Sequence, residues 1–144
     1  MVGKFIRLNK LLAFILFALL LMTGSISAMA AKQLVFDEAE LLIESEVEEI
    51  EAEANALSEA YSMDIVIATT DNTHGKSSRN YADDFFDYGG FGVGPDSDGI
   101  LFLIDMDNRE AYISTSGKGI KYLTDARIEK ILDVVFDSGL SWVF

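Results

Sequence analysis

The chain predicts an α/β domain, a three-layer α/β/α-like arrangement around a small mixed sheet. Three observations predict it. A long stretch with apolar residues every three or four positions is followed by a short β-branched apolar run. A second helical stretch leads to a second apolar run. That run is returned, after a polar turn, by a partly alternating segment. The order helix, strand, helix, strand, strand, helix gives one parallel pair through a right-handed crossover and one antiparallel strand.

Within residues 38–61, Ala39, Ile43, Val47, Ile50, Ala54, Leu57 and Tyr61 step by four or three while glutamates fill the far side, the pattern of an amphipathic helix. Asp37 with Glu40 resembles a capping box at its start. The nine glutamates from Glu38 to Glu59 read as a solvated face. Asp64-Ile65-Val66-Ile67-Ala68-Thr69 is short, apolar and β-branched, hence a buried strand. Asp71-Asn72-Thr73-His74-Gly75-Lys76 then reads as a loop.

Ser77 or Ser78 can cap a second helix, on which Tyr81, Ala82, Phe85 and Phe86 form one aromatic stripe that Gly89-Gly90 ends. At helical spacing such a stripe reads as core. Residues 99–104, Gly-Ile-Leu-Phe-Leu-Ile, form a second buried strand, Asp105-Met106-Asp107-Asn108 turns it, and residues 109–115 return as a hairpin. A third helix follows Thr124, with Ile128, Ile131, Leu132 and Val135 on one side and Asp125 in its electropositive first turn. Residues 139–144 are apolar and uncapped where another element is expected to cover the sheet, so residues 137–144 are read as a truncated segment and the chain as C-terminally incomplete.

The start of the chain has a different character. Lys4, Arg7 and Lys10 precede the apolar run Leu11 to Met22, and a small-residue stretch ends at Ala28-Met29-Ala30. That is the layout of a secretory signal, with an uncleaved anchor as the alternative, because no charge lies between Lys10 and Lys32. Either way the domain at residues 34–136 is expected to be exported, to the extracellular space or the cell envelope. Setting residues 1–30 aside removes three of the 11 Lys+Arg and none of the 24 Asp+Glu, which leaves 8 against 24, a net −16. So acidic a surface repels nucleic-acid phosphates and attracts cations. With no Cys in the chain, disulfide scaffolds, thiol nucleophiles and Cys-ligated zinc are excluded.

A family resemblance rests on an ordered set of residues. Asp37 ahead of the acidic helix, the strand at 64–69, Tyr81-Ala82, Asp98-Gly99-Ile100-Leu101, Asp107-Asn108-Arg109, and Gly117-Lys118-Gly119 before Leu123-Thr124-Asp125 resemble the TPM domain family across residues 34–136. The resemblance implies an exported or membrane-tethered α/β/α domain. Its relatives include a thylakoid-lumen acid phosphatase, calcium-binding envelope proteins and accessory subunits of membrane receptors. Family members commonly continue past the third helix, often into a membrane span or a Gly/Ser-rich tail.

For chemistry, the topology places residues 89–98 at the N-terminal edge of the parallel strands together with Ser116-Gly117-Lys118-Gly119 and Asp125. Asp37, Asp71, His74 and Asp105 fall at the opposite edge. Asp96, Asp98 and Asp125 are the candidate metal ligands, hard oxygens on a loop that suit Ca²⁺, and Lys118 and Lys121 would hold a phosphate against the bound cation. The competing reading makes Asp96 and Asp98 turn residues and Asp125 a helix-start charge. Asp-Ser-Asp-Gly is not an EF-hand, because Ile100 and Leu101 stand where a ligand and the central glycine belong. The glycine run 89–94 lacks a phosphate-loop ending. His74 is a candidate acid or base, or simply a solvated loop residue. The expected function is a calcium-binding envelope interaction module with a protein partner and without strong catalysis; the alternative is a metal-dependent acid phosphatase of broad specificity.

Overall fold

The computed structural model describes residues 32–137, so residues 1–30, read above as a signal or anchor, and residues 138–144 lie outside the described residues. Four strands form one mixed sheet in the order β1-β2-β3-β4: β1 (Val35–Asp37), β2 (Asp64–Thr70), β3 (Gly99–Asp105) and β4 (Glu110–Ser116). β1–β2 and β2–β3 are parallel and β3–β4 is an antiparallel hairpin. The helices are α1 (Glu44–Tyr61), α2 (Ser78–Tyr88), the single-turn α3 (Gly119–Tyr122) and α4 (Asp125–Asp137). The parallel pair, the hairpin and the three main helices are those the periodicity predicts.

Two elements differ from expectation, for local reasons. β1 is a fourth strand, and its three residues are too few to show a period; it exists through pairing with Ile67–Thr69. The first helix starts at Glu44 and not at residue 38. Asp37 does not cap it. Its Oδ1 and Oδ2 accept the Leu41 and Leu42 N–H groups at 3.0 and 2.9 Å, which closes a loop in which Glu40 has φ +52°. Glu46 reaches back to the Ile43 N–H at 3.0 Å instead. Not all nine glutamates are merely solvated, since the Glu51 carboxylate accepts the Leu34 and Val35 N–H groups at 2.7 Å each and so covers part of the edge strand.

Neighbouring residues on a strand face opposite sides of a sheet, so side-chain contacts assign the layers. The Phe86 ring of α2 packs on Gly99 so closely that an added Cβ would meet it at 2.4 Å. Ser114 Oγ of β4 donates to Asp83 of α2 at 2.6 Å. Leu57 and Tyr61 of α1 instead share a groove with Ile65 and Ile100, which point from the other face. Tyr122, closing α3, meets Tyr61 edge-on at 5.4 Å. Helices therefore cover both faces. Val66, Ala68, Leu101, Leu103, Ala82 and Phe86 make the body of the core. α4 contributes no buried residue; Ile131 stays 37% and Val134 60% exposed. Among the described residues no helix is long and apolar enough to cross a membrane.

Candidate functional site

The C-terminal ends of parallel strands are where open α/β sheets place ligands, because helix starts and loops converge there. Here the β3–β4 turn is the anchor. Asp105 is fully buried, and its Oδ1 accepts the Asp107 and Asn108 N–H groups at 3.0 and 2.9 Å. Its Oδ2 accepts from Asn108 Nδ2 and Ser78 Oγ, both at 2.7 Å. Ser78 Oγ also lies 2.6 Å from Glu110 Oε2, so its single proton serves one carboxylate at a time. Asp107 then takes the Thr73 N–H and hydroxyl at 3.0 and 2.7 Å, and Asn108 Nδ2 donates to the Lys76 carbonyl at 3.0 Å. These bonds from Thr73, with the nearby His74 charge, hold Asp107 below the usual carboxylate range. One turn thus fixes residues 73–76 beside the start of α2.

The other wall comes from the end of β1. Burial pushes the Asp37 carboxyl up, but hydrogen bonds from Thr69 Oγ1 and from the Leu42 and Leu41 N–H groups outweigh it and leave Asp37 below its ordinary value. Next to it, Glu38 Oε2 accepts from the Tyr81 hydroxyl at 3.1 Å. Burial, opposed by Thr70 and helped by Glu38, raises the Tyr81 phenol, which therefore stays a donor at neutral pH.

Between these walls runs an open groove of about 620 Å³. It exists because α2 sits over β3 and β4, which leaves the edge strand β1 without a helix on that face of the sheet, while α1 packs on the other. Phe36, Tyr81, Phe85, Tyr88 and Phe91 supply its aromatic lining, and Glu38, His74, Lys76 and Asp84 its polar rim. Phe85 is central: Tyr81 stacks on it at 6.1 Å, Phe91 at 5.8 Å, and Phe36 meets it edge-on at 5.3 Å. Lys76 Nζ pairs with Asp84 at 2.7 Å, which raises the lysine and keeps it charged.

At the N-terminal edge, the loop before β3 and the end of β4 do meet, as the topology predicts. Asp98 Oδ1 accepts the Lys118 N–H at 2.8 Å, and Oδ2 pairs with Lys118 Nζ at 3.0 Å. Those two contacts, with Lys121 adding a weaker pull, depress the Asp98 carboxyl. Gly117 turns there at φ +53°, where a Cβ would meet Asp98 Oδ1 at 2.2 Å. The Asp96 carbonyl accepts from Ser116 Oγ at 3.4 Å. Asp96, Asp98, Lys118 and Lys121 therefore share an edge. Asp125 lies exposed in the first turn of α4. Among the described residues no three carboxylate or imidazole groups gather closely enough to hold a metal ion. A cation at Asp98 would have to displace Lys118.

The sequence profile of the TPM domain matches residues 35–140. The chain belongs to the TPM domain family. It is 33% identical over 111 residues to UPF0603 protein YdjH of Bacillus subtilis (strain 168), an alignment that covers 77% of this chain and 42% of YdjH. The chain thus spans about two fifths of that relative. Among solved structures, the N-terminal domain of a P. gingivalis protein superposes with a TM-score of 0.65 at 21% identity, covering 76% of this chain and 73% of that one. The N-terminal domain of the cg2496 protein from Corynebacterium glutamicum gives 0.60 at 16% identity, covering 83% and 74%. At those identities the likeness concerns the fold.

For this TPM domain, sequence reasoning placed Asp37, His74 and Asp105 at one edge but did not single out Glu38, Tyr88 or Asp107 as parts of a site. A signal existed for the aromatic ones. Tyr81, Phe85 and Tyr88 step by four and three along α2, next to the buried stripe of Ala82 and Phe86, so the helix carries more aromatic surface than one core face needs.

Proposed function

We propose that this TPM domain is an exported envelope module that binds a protein partner non-covalently in the groove between α2 and β1. The observation that carries this reading is the groove itself: an open aromatic trough, polar at its rim, that starts beside the C-terminal strand ends at Glu38 and His74 and runs along α2 to Phe91. The basic, apolar, small-residue order of the first 30 residues supports export. The residues near the groove offer little for covalent chemistry. Ser78 is sealed from solvent and engaged by two carboxylates. His74 lines the rim of a trough in which Lys76 is already paired with Asp84 and Glu38 adds a negative charge that repels a phosphate.

Calcium belongs to this reading as a weak ligand of the opposite edge, entering at Asp96 and Asp98 in exchange for Lys118. The competing activity, a broad acid phosphatase, is tested with the full-length protein on a chromogenic phosphomonoester in Ca²⁺ or EDTA. The proposal expects no turnover above that of the His74→Ala variant. EDTA-sensitive turnover that disappears in Asp98→Asn would replace it with the enzymatic reading.

A further inference from the structure

Resting on the groove as the binding site, we propose that its occupant is a cationic protein segment whose lysine or arginine side chains lie on the Phe–Tyr wall. The molecule already uses this chemistry on itself. Lys32 Nζ sits 5.2 Å over the Phe91 ring, paired with the buried Asp64 carboxylate behind it. Phe91 is also a groove residue, stacked through Phe85 onto Tyr81. A second lysine, Lys76, is held at the rim by Asp84. One ammonium group therefore lies on this aromatic system with an aspartate as counter-ion, and a second lysine–aspartate pair stands at its rim.

Phe85 is stacked between Tyr81 and Phe91, and Lys32 lies over Phe91, so a further cation meets the open ring face of Tyr88 at the rim. Tyr88 is 85% exposed, and Glu38 adds a solvent-reachable carboxylate at the far end. Lys76 and Asp84 offset each other at the rim, so an anionic ligand would face Glu38 within the field of a domain with net charge −16, with 8 Lys+Arg against 24 Asp+Glu from residue 31 onward. Length argues for a segment and not an isolated headgroup. The groove flanks α2, whose 11 residues rise about 16 Å, the span of roughly five extended residues.

The test is amide chemical-shift titration of the full-length protein, at about 0.15 M ionic strength, with a decapeptide of alternating lysine and glycine. Parallel titrations use the same peptide with every lysine acetylated, and one with glutamate in place of lysine. Saturable shifts confined to groove residues are expected for the lysine peptide alone. Tyr88→Ala and Asp84→Asn, both at partly exposed positions, should each weaken it about three- to tenfold. Paired Glu48→Gln and Glu49→Gln changes on the exposed face of α1 should change it less than twofold. Equal weakening by the α1 pair would mean diffuse charge attraction and overturn the proposal, as would the absence of groove shifts. Groove binding by the acetylated or acidic peptide would overturn the cation requirement while leaving the groove as a binding site. Phosphomonoester turnover would remove the non-catalytic reading without touching this titration.

Discussion

Three carboxylates in this molecule show what the position of an aspartate is worth. Asp37, Asp98 and Asp107 each accept hydrogen bonds that exist only in the folded chain, and each is held below its ordinary value of 3.8. A group depressed on folding adds stability that is fully present above its unfolded value and is lost as pH falls through the folded one. Stability should therefore be level with respect to these groups at neutral pH and decline once the pH drops below about 3.8. Urea midpoints measured from pH 7 to pH 2.5 check this. Asp98→Asn, which keeps an acceptor for the Lys118 N–H but cannot ionise, should show a shallower acid decline than the parent; an unchanged slope would mean that Lys118 does not hold Asp98 in solution. The identity of that partner is also what the sequence does not display at this site. Asp96 and Asp98 two apart look like free ligands until a lysine 20 positions later is found on one of them.

Elements carry the effect from residue to site. The β3–β4 turn grips residues 73–76 through Asp107 and Asn108, and those residues bring His74 and Lys76 to the groove. Asp107→Ala should therefore speed amide hydrogen exchange from Thr73 to Lys76 at least tenfold while the β3–β4 ladder keeps its protection, since ladder bonds do not pass through that side chain. Equal loss in both would mean that the turn is part of the sheet's stability and not a separate clamp. Helical periodicity made α1 and α2 legible, and continuous apolar runs did the same for β2 and β3, the central strands of a sheet covered on both faces. Neither signal could reveal β1, which has three residues, or the true start of α1. The start depends on whether Asp37 caps a helix or closes a loop, a choice settled by Thr69 on another strand.

At the scale of the whole molecule, the asymmetry between the two halves of the sheet creates the working surface. On one face of the sheet α2 covers β3 and β4, and β1 is left there to aromatic side chains that form a trough and not a closed core. Fold class was readable in advance, since it follows from element order. The trough was not, because it depends on which strands a helix happens to lie over. The central claim is that this trough is where the domain meets its partner, and site-specific photo-crosslinking in the cells that make the protein tests it most directly. A photoreactive phenylalanine analogue replacing Tyr88 should give a discrete protein adduct, and the same analogue replacing Ala52, on the exposed side of α1, should give none. Adducts of equal yield at both positions, or an adduct only at position 52, would contradict the account.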